Sequence, residues 1–337
     1  MAIIMNRAML LERPAPAASG PLRAVEREPE APGPGMILLR VKACGVCRTD
    51  LQLCEGDIEL HKTPIVPGHQ IVGRVEAVGA GVTAWRIGAR VGVAWLAGTD
   101  GVCDKCRSGR ENLCVRATFT GWDVDGGYAT HVTARADFAY PLPDGFDDLA
   151  AAPLLCGGVI GYRSLARSGI QPGGRLGLYG FGASALITLQ VARHRGCRIF
   201  VATRSAAEKE RALALGAEWA GGTHEPPPEP LDAAITFAPS GDVVRAALRA
   251  VDRGGTVAIN AIHLDRLPEM PYGELWWERR LASVANFTRA DATEFLALAA
   301  EIPIRTSFET HPLADANVAL ARLARGEVQG AAVLIAE

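Results

Sequence analysis

The sequence has no run of about 18 consecutive uncharged apolar residues, so no segment is read as a membrane-spanning helix. It also lacks an excess of either charge. Thirty-five Lys and Arg stand against 37 Asp and Glu, a formal charge of −2, which leaves no basic stripe for nucleic acid or an anionic membrane. No repeat period is present, and the one low-complexity stretch, proline-rich 225–230, is read as a surface loop. No targeting segment is expected either. Met1–Leu11 is apolar, but Asn6 and Arg7 interrupt it and Glu12 follows, so it is read as a first strand. A cytoplasmic address with reduced thiols follows from that reading.

Cysteine is too sparse for a disulfide scaffold, eight residues in 337, and too clustered to be random core filler. The thiols stand at positions 44, 47, 54, 103, 106, 114, 156 and 197, which points to metal ligation or redox chemistry. At about 150 residues per domain the length suggests two domains. With 49% hydrophobic and 21% charged residues, both domains are expected to be ordinary globular ones.

The first part of the chain shows short β-branched runs between glycines and prolines, as at 37–42, 71–78 and 90–94, and is expected to be β-rich. From about Ala151 the texture changes. Apolar runs at 176–179, 198–203, 232–237, 256–260 and 281–285 alternate with helical periods at 184–195, 206–215 and 243–251. Strands alternating with helices predict an α/β domain with a parallel sheet. The tail adds helices at 292–300 and 314–325 and strands at 306–311 and 331–335, which can pack back on the first domain.

Two motifs carry chemistry on their spacing. Cys103, Cys106 and Cys114 form C-x2-C-x7-C, with Asp100 three residues ahead. Three thiolates and a carboxylate suit a closed tetrahedral Zn²⁺ site, whose role is structural because no position stays open. Gly180-Phe181-Gly182-Ala183-Ser184-Ala185 is a G-x-G-x-x-A turn between a strand and a helix, the pattern that brings backbone close to a dinucleotide pyrophosphate. The next strand ends Thr203-Arg204-Ser205. An acid about 20 positions on would favour NAD, whereas an arginine accommodates the 2′-phosphate of NADP, so NADP(H) is preferred.

Cys47, His69 and Cys156 are too far apart for spacing to connect them. Each alone reads as a buried core residue. Their surroundings say more: Cys44-Gly45-Val46-Cys47-Arg48-Thr49-Asp50, Gly68-His69, Gly126-Gly127-Tyr128 and Pro153-Leu154-Leu155-Cys156-Gly157-Gly158. Together with the glycine turn, these stretches resemble the zinc-dependent alcohol dehydrogenases of the medium-chain dehydrogenase/reductase family over nearly the whole chain.

The resemblance implies a GroES-like β-rich catalytic domain over 1–156, rejoined by 289–337, and a Rossmann domain, a doubly wound parallel sheet, over 157–288. It implies Cys47, His69 and Cys156 as ligands of a catalytic Zn²⁺, Thr49 as the hydroxyl that takes the substrate proton, and Asp50 as the carboxylate that orients His69. Hydride transfer between an alcohol or aldehyde and NAD(P) is the implied activity, in a homo-oligomer, dimer or tetramer. Cofactor contacts are expected from Gly180, Phe181, Gly182, Ala183, Ser184, Thr203, Arg204, Ser205 and Arg289, and two zinc ions are expected per chain. Cys44 aligns as a non-ligand, which sets aside a C-x-x-C redox pair with Cys47.

Three positions depart from the family pattern. Gln70 replaces a glutamate beside the histidine ligand, Gln52 replaces a proton-relaying histidine, and Ile160 stands where a threonine often contacts nicotinamide. A neutral amide cannot titrate, so the proton path is altered. Trp95, Leu96, Phe119 and Trp122 are expected around the catalytic zinc, with Trp95 and Trp122 as candidates to line an apolar substrate channel. Trp276-Trp277 adds a second aromatic pair. Competing functions are a zinc-free quinone or enoyl-type reductase of the same superfamily and a non-catalytic NADPH-binding regulator.

Overall fold

The computed structural model describes residues 5–336, so 1–4 of the expected first strand lie outside the described residues and the strand itself spans Asn6–Leu11. The chain divides into two compact units. One comprises Met1–Cys156, Asn286–Ala300 and Thr306–Glu337, the other Gly157–Ala285 and Glu301–Arg305.

The first unit is built on a seven-stranded sheet. Its path runs Phe308–Pro312, Ala331–Ile335, Met36–Val46, Gln70–Val78, Arg90–Val93 and Ala139–Pro141, with His131–Arg135 paired to the long strand Met36–Val46. Ile37, Leu39 and Val41 alternate into the core, where they meet Ile71, Val75, Val91, Val93 and Leu334. This period of two is the β pattern read in the sequence. The tail strand pairs antiparallel with Met36–Val46, Ala332 opposite Val46. Two bulges in the Met36–Val46/Gln70–Val78 pair carry the register to Gly45 opposite Gln70.

The second unit is a six-stranded sheet in the order Trp219–Gly221, Arg198–Ala202, Arg175–Tyr179, Leu231–Thr236, Val251–Ile259 and Arg280–Ser283, with every neighbouring pair parallel. Counted along the chain this is 3-2-1-4-5-6, the Rossmann order. Leu176, Leu178, Ile199, Val201, Ala234, Ile235 and Val257 are buried, as expected of strands covered on both faces. Two elements escape a periodicity reading. Strand Trp219–Gly221 is three residues long and contains a glycine, and helix Gly157–Ser168 opens on Gly157-Gly158, which reads as a breaker.

One helical stretch, Asp148–Ser168, is long and apolar enough to cross a membrane on length and composition, but 61% of its apolar 18-residue window is buried in the fold. It is broken into Asp148–Ala151, a 3-10 turn over Ala152–Leu155 and Gly157–Ser168, which marks it as core.

Candidate active site

Strand register explains how residues 22 apart in sequence meet. With Gly45 opposite Gln70, the chain just beyond the pair brings Cys47 beside the Gly68–His69 turn. Gly68 sits at φ +98°, where a Cβ would lie 2.3 Å from the Tyr128 ring and 2.8 Å from Cys44 Sγ, so only glycine fits. Gly126, Gly127 and Tyr128 hold this turn by donating their N–H groups to the carbonyls of Val66, Gly68 and Pro67.

Cys47 is the N-cap of helix Arg48–Glu55. Its Sγ accepts the Thr49 N–H at 3.3 Å, and Asp50 closes a capping box by accepting the Cys47 N–H at 2.9 Å. The other oxygen of Asp50 accepts the Gly68 N–H at 3.2 Å and lies 3.1 Å from His69 Nδ1. Asp50 is fully buried and His69 nearly so. One carboxylate thus ties the cysteine, the turn and the imidazole together, leaving Nε2 of His69 3.3 Å from Cys47 Sγ. Cys156 follows the 3-10 turn, whose Leu155 packs on Gly92; a Cβ there would lie 2.6 Å from Leu155 Cδ2.

The ligand atoms of Cys47, His69 and Cys156 lie within 4.8 Å of one another. Zn–S and Zn–N bonds of about 2.3 and 2.1 Å in a tetrahedron separate ligand atoms by roughly 3.5–3.8 Å, so the set fits zinc. Its charge state fits too. The Cys156 thiol donates to Cys47, which, aided by His69, lowers the Cys47 pKa to about 5 against the effect of burial. The same bond, with burial, raises Cys156. Burial lowers the His69 pKa, but Asp50 and the Cys47 thiolate outweigh it and raise it well above normal. The thiolate favoured at Cys47 gathers negative charge that suits a dication.

The second cluster is local. Cys103 caps the short helix Asp104–Arg107, and Cys114 ends a 3-10 turn over Glu111–Leu113. Asp100, Cys103, Cys106 and Cys114 bring four ligand atoms within 4.8 Å of one another, with Cys103 Sγ 3.6 Å from Cys106 Sγ. Asp100 Oδ1 accepts the N–H groups of Val102 and Cys103, both at 3.0 Å. Those bonds, Cys103 first, hold its carboxyl well below the usual range. A hydrogen bond from the Cys106 backbone lowers Cys103, whereas desolvation and then Asp100 push Cys106 up to about 11. The donor set of three sulfurs and one oxygen fits a closed zinc site.

Thr49 is half-buried on the first turn after Cys47. Three residues on, Gln52 is buried, and its Oε1 has no hydrogen-bond partner. Gln70 is buried against Gly45, and all eight cysteines are free. The Trp95 ring stands edge-on to His69, centroids 4.8 Å apart at 76°. Trp95, Phe119 and Trp122 stack on one another at 5.2–5.6 Å, and His61 stacks on Trp122 at 3.9 Å. Leu96 is instead wholly buried. Trp276 and Trp277 are about half exposed and meet edge to face, as Trp276 does with exposed Tyr272.

In the second unit Gly180 takes φ +88°, and Gly182 begins helix Ala183–His194 without a side-chain cap bond. A Cβ on Gly182 would meet nothing within 4 Å. Open space beside uncapped helix N–H groups is a cradle that fits a pyrophosphate. Phe181 and Ala185 are buried, and Ser184 lies at the helix start. Arg204 and Ser205 are exposed at the strand end, and Thr203 is buried. Arg289, expected at the cofactor, belongs to the first unit, where its N–H and Nε point to Glu111 Oε1 at 3.0 and 3.4 Å and its guanidinium lies 4.9 Å over Phe138.

Sequence reading missed two residues. Glu208 reaches Thr203, a contact hinted at by the Ser205-x-x-Glu208 capping pattern. Glu111, which engages Arg289, had no signal at all, because its partner is 178 residues away.

The chain is similar to known proteins over nearly its whole length. Residues 33–144 match the family model described as "Alcohol dehydrogenase GroES-like domain". The Mycobacterium tuberculosis protein named "Probable alcohol dehydrogenase AdhA" is 50% identical over 331 residues, 96% of each chain. Among solved structures, a cinnamyl alcohol dehydrogenase from Sorghum bicolor superposes with a TM-score of 0.89 at 25% identity, covering 99% of this chain and 98% of that one. A candidate zinc-binding dehydrogenase from Sinorhizobium meliloti 1021 bound to NADP gives 0.85 at 25% identity, covering 98% and 99%.

Proposed function

Since the chain belongs to the alcohol dehydrogenases of the medium-chain dehydrogenase/reductase family, we propose that it is a zinc-dependent enzyme transferring a hydride between an alcohol or aldehyde and a nicotinamide cofactor, with NADP(H) preferred. The observation that carries this is the convergence of Cys47 Sγ, His69 Nε2 and Cys156 Sγ around a point that three protein ligands leave open to a fourth. When bound, zinc would act as a Lewis acid on the alcohol or carbonyl oxygen and the nicotinamide would carry the hydride.

The chain's own groups do the rest. Asp50 fixes the His69 tautomer, with the proton on Nδ1 and Nε2 free to ligate. Thr49 Oγ1 accepts the substrate hydroxyl proton as it gives its own hydroxyl proton up to solvent. Gln52 Oε1, one helical turn away and buried without a partner, accepts a ligand hydroxyl but cannot carry the proton onward. The ring stack of Trp95, Phe119 and Trp122 beside His69 favours an apolar substrate. Asp100, Cys103, Cys106 and Cys114 hold a second, structural zinc. Gly180 to Ser184 cradle the pyrophosphate, and Arg204 with Ser205 meets the 2′-phosphate.

Free thiols at both clusters suit the reducing cytoplasm. We assign a homo-oligomer, dimer or tetramer, on the family and on the exposed rings of Tyr272, Trp276 and Trp277, which meet edge to face; sedimentation as a monomer at micromolar concentration would reject it. The central test is zinc quantification alongside a screen of primary alcohols and aldehydes with both cofactors. About two zincs per chain and turnover are expected. One zinc favours a zinc-free reductase of activated alkenes or quinones, and two zincs with tight NADPH but no turnover favours a regulator. Arg204→Ala should raise the KM for NADPH far more than for NADH.

A further inference from the structure

Strand Arg198–Ala202 delivers Thr203 to the end of the sheet, and helix Ala206–Ala214 starts directly after the cap residue Ser205. Ser205 Oγ accepts the Glu208 N–H at 3.3 Å, the first half of a capping box. In a complete box the glutamate carboxylate returns to the N–H of the cap residue. Here the Ser205 N–H points to Thr203 Oγ1 at 3.4 Å, and the Glu208 carboxylate accepts the Thr203 hydroxyl instead.

This exchange has a chemical consequence. A threonine hydroxyl has one proton to donate, and Thr203 uses it on Glu208. Thr203 is only 5% exposed, so the tether is anchored in the sheet. The strand end, where dinucleotide-binding folds place an acid against the ribose 2′-hydroxyl, therefore offers a carboxylate borrowed from the next helix. Among the described residues no cation lies within ion-pair distance of Glu208. The neighbouring Arg204 is exposed and has no carboxylate partner among the described residues.

We propose that Glu208 is a specificity-determining residue: its carboxylate accepts the adenosine ribose 2′-hydroxyl of NAD(H) and opposes the 2′-phosphate that Arg204 attracts, so that the site keeps NAD(H) alongside NADP(H). This rests on the dinucleotide reading of the same strand end. A phosphate beside an unpaired carboxylate meets like-charge repulsion, whereas a hydroxyl donates to it.

The test is equilibrium binding of NADPH and NADH to the zinc-loaded full chain, read by calorimetry or nicotinamide fluorescence and independent of turnover. Glu208→Gln keeps the Thr203 bond but removes the charge, and should tighten NADPH about tenfold while weakening NADH. Thr203→Val, which releases the tether, should move the NADPH/NADH ratio the same way by less. An unchanged ratio in Glu208→Gln overturns the role of Glu208, whatever Arg204→Ala does. If Glu208→Gln shifts the ratio and Arg204→Ala weakens both cofactors equally, Glu208 stands and the NADP(H) preference falls. Failure of the unaltered protein to bind either cofactor overturns both.

Discussion

The two candidate zinc clusters belong to the same unit but are made in opposite ways. Asp100, Cys103, Cys106 and Cys114 come from one 15-residue loop and are held by turns, a one-turn helix and the Asp100 bonds to neighbouring N–H groups. Cys47, His69 and Cys156 come from a helix cap, a strand entry and a 3-10 turn, and they converge only once the large sheet has formed. The loop cluster has little fold of its own without a metal. The sheet cluster is positioned by backbone pairing and a buried carboxylate whether or not metal is bound. Metal loss should therefore cost chemistry at one and structure at the other.

The largest expected effect breaks the sheet cluster alone. In Cys47→Ser a ligand and the helix-capping sulfur are weakened while the sheet register remains. Loss of Lewis acidity is worth about 4 kcal/mol or more, so kcat/KM should fall roughly a thousandfold or further. Zinc should drop by one per chain, with the melting temperature nearly unchanged. If turnover persists with one zinc lost, the catalytic assignment is wrong. Asp50→Asn comes next. It keeps an oxygen for the Gly68 N–H and His69 but turns an amide NH2 toward the Cys47 N–H and removes the charge behind His69, which should weaken zinc about ten- to a hundredfold at this cluster and leave the loop cluster full. A titration with a zinc indicator reads both populations.

The same contrast explains what could be read in advance. The loop cluster was legible from spacing because its ligands are sequence neighbours. The strands of the Rossmann sheet were legible where an apolar run exceeded about four residues. The sheet cluster was not legible from spacing: its geometry depends on the Gly45–Gln70 register and two bulges, properties of the folded pair rather than of either strand. Only resemblance to a family connected Cys47, His69 and Cys156. Glu208 lay between these cases. Its capping pattern was visible, but whether the carboxylate turns to Ser205 or to Thr203 is decided by where the buried threonine ends its strand.

Reversing the comparison, Cys106→Ser should release the loop zinc and lower the melting temperature by about 5 °C, near 2 kcal/mol for a unit of this size, while the sheet cluster keeps its metal. Activity per folded molecule should change much less than in Cys47→Ser. Equal activity losses in the two variants would mean that the clusters are not separable.

The smallest effect asks whether Asp100 is a ligand or only a turn residue. Asp100→Asn retains an oxygen for the Val102 and Cys103 N–H groups, so the turn should survive, but it removes the anionic donor that completes the three thiols. Zinc should bind the loop roughly tenfold more weakly, with turnover at saturating zinc close to that of the unaltered protein. Asp100→Ala should add the loss of those acceptor bonds, about 1 kcal/mol of further destabilisation measurable even in chelator-treated protein. If Asn and Ala weaken zinc equally and only through the stability of the apo loop, Asp100 acts on the turn alone. A zinc affinity untouched by Asn would remove Asp100 from the ligand set and leave the loop with three sulfurs.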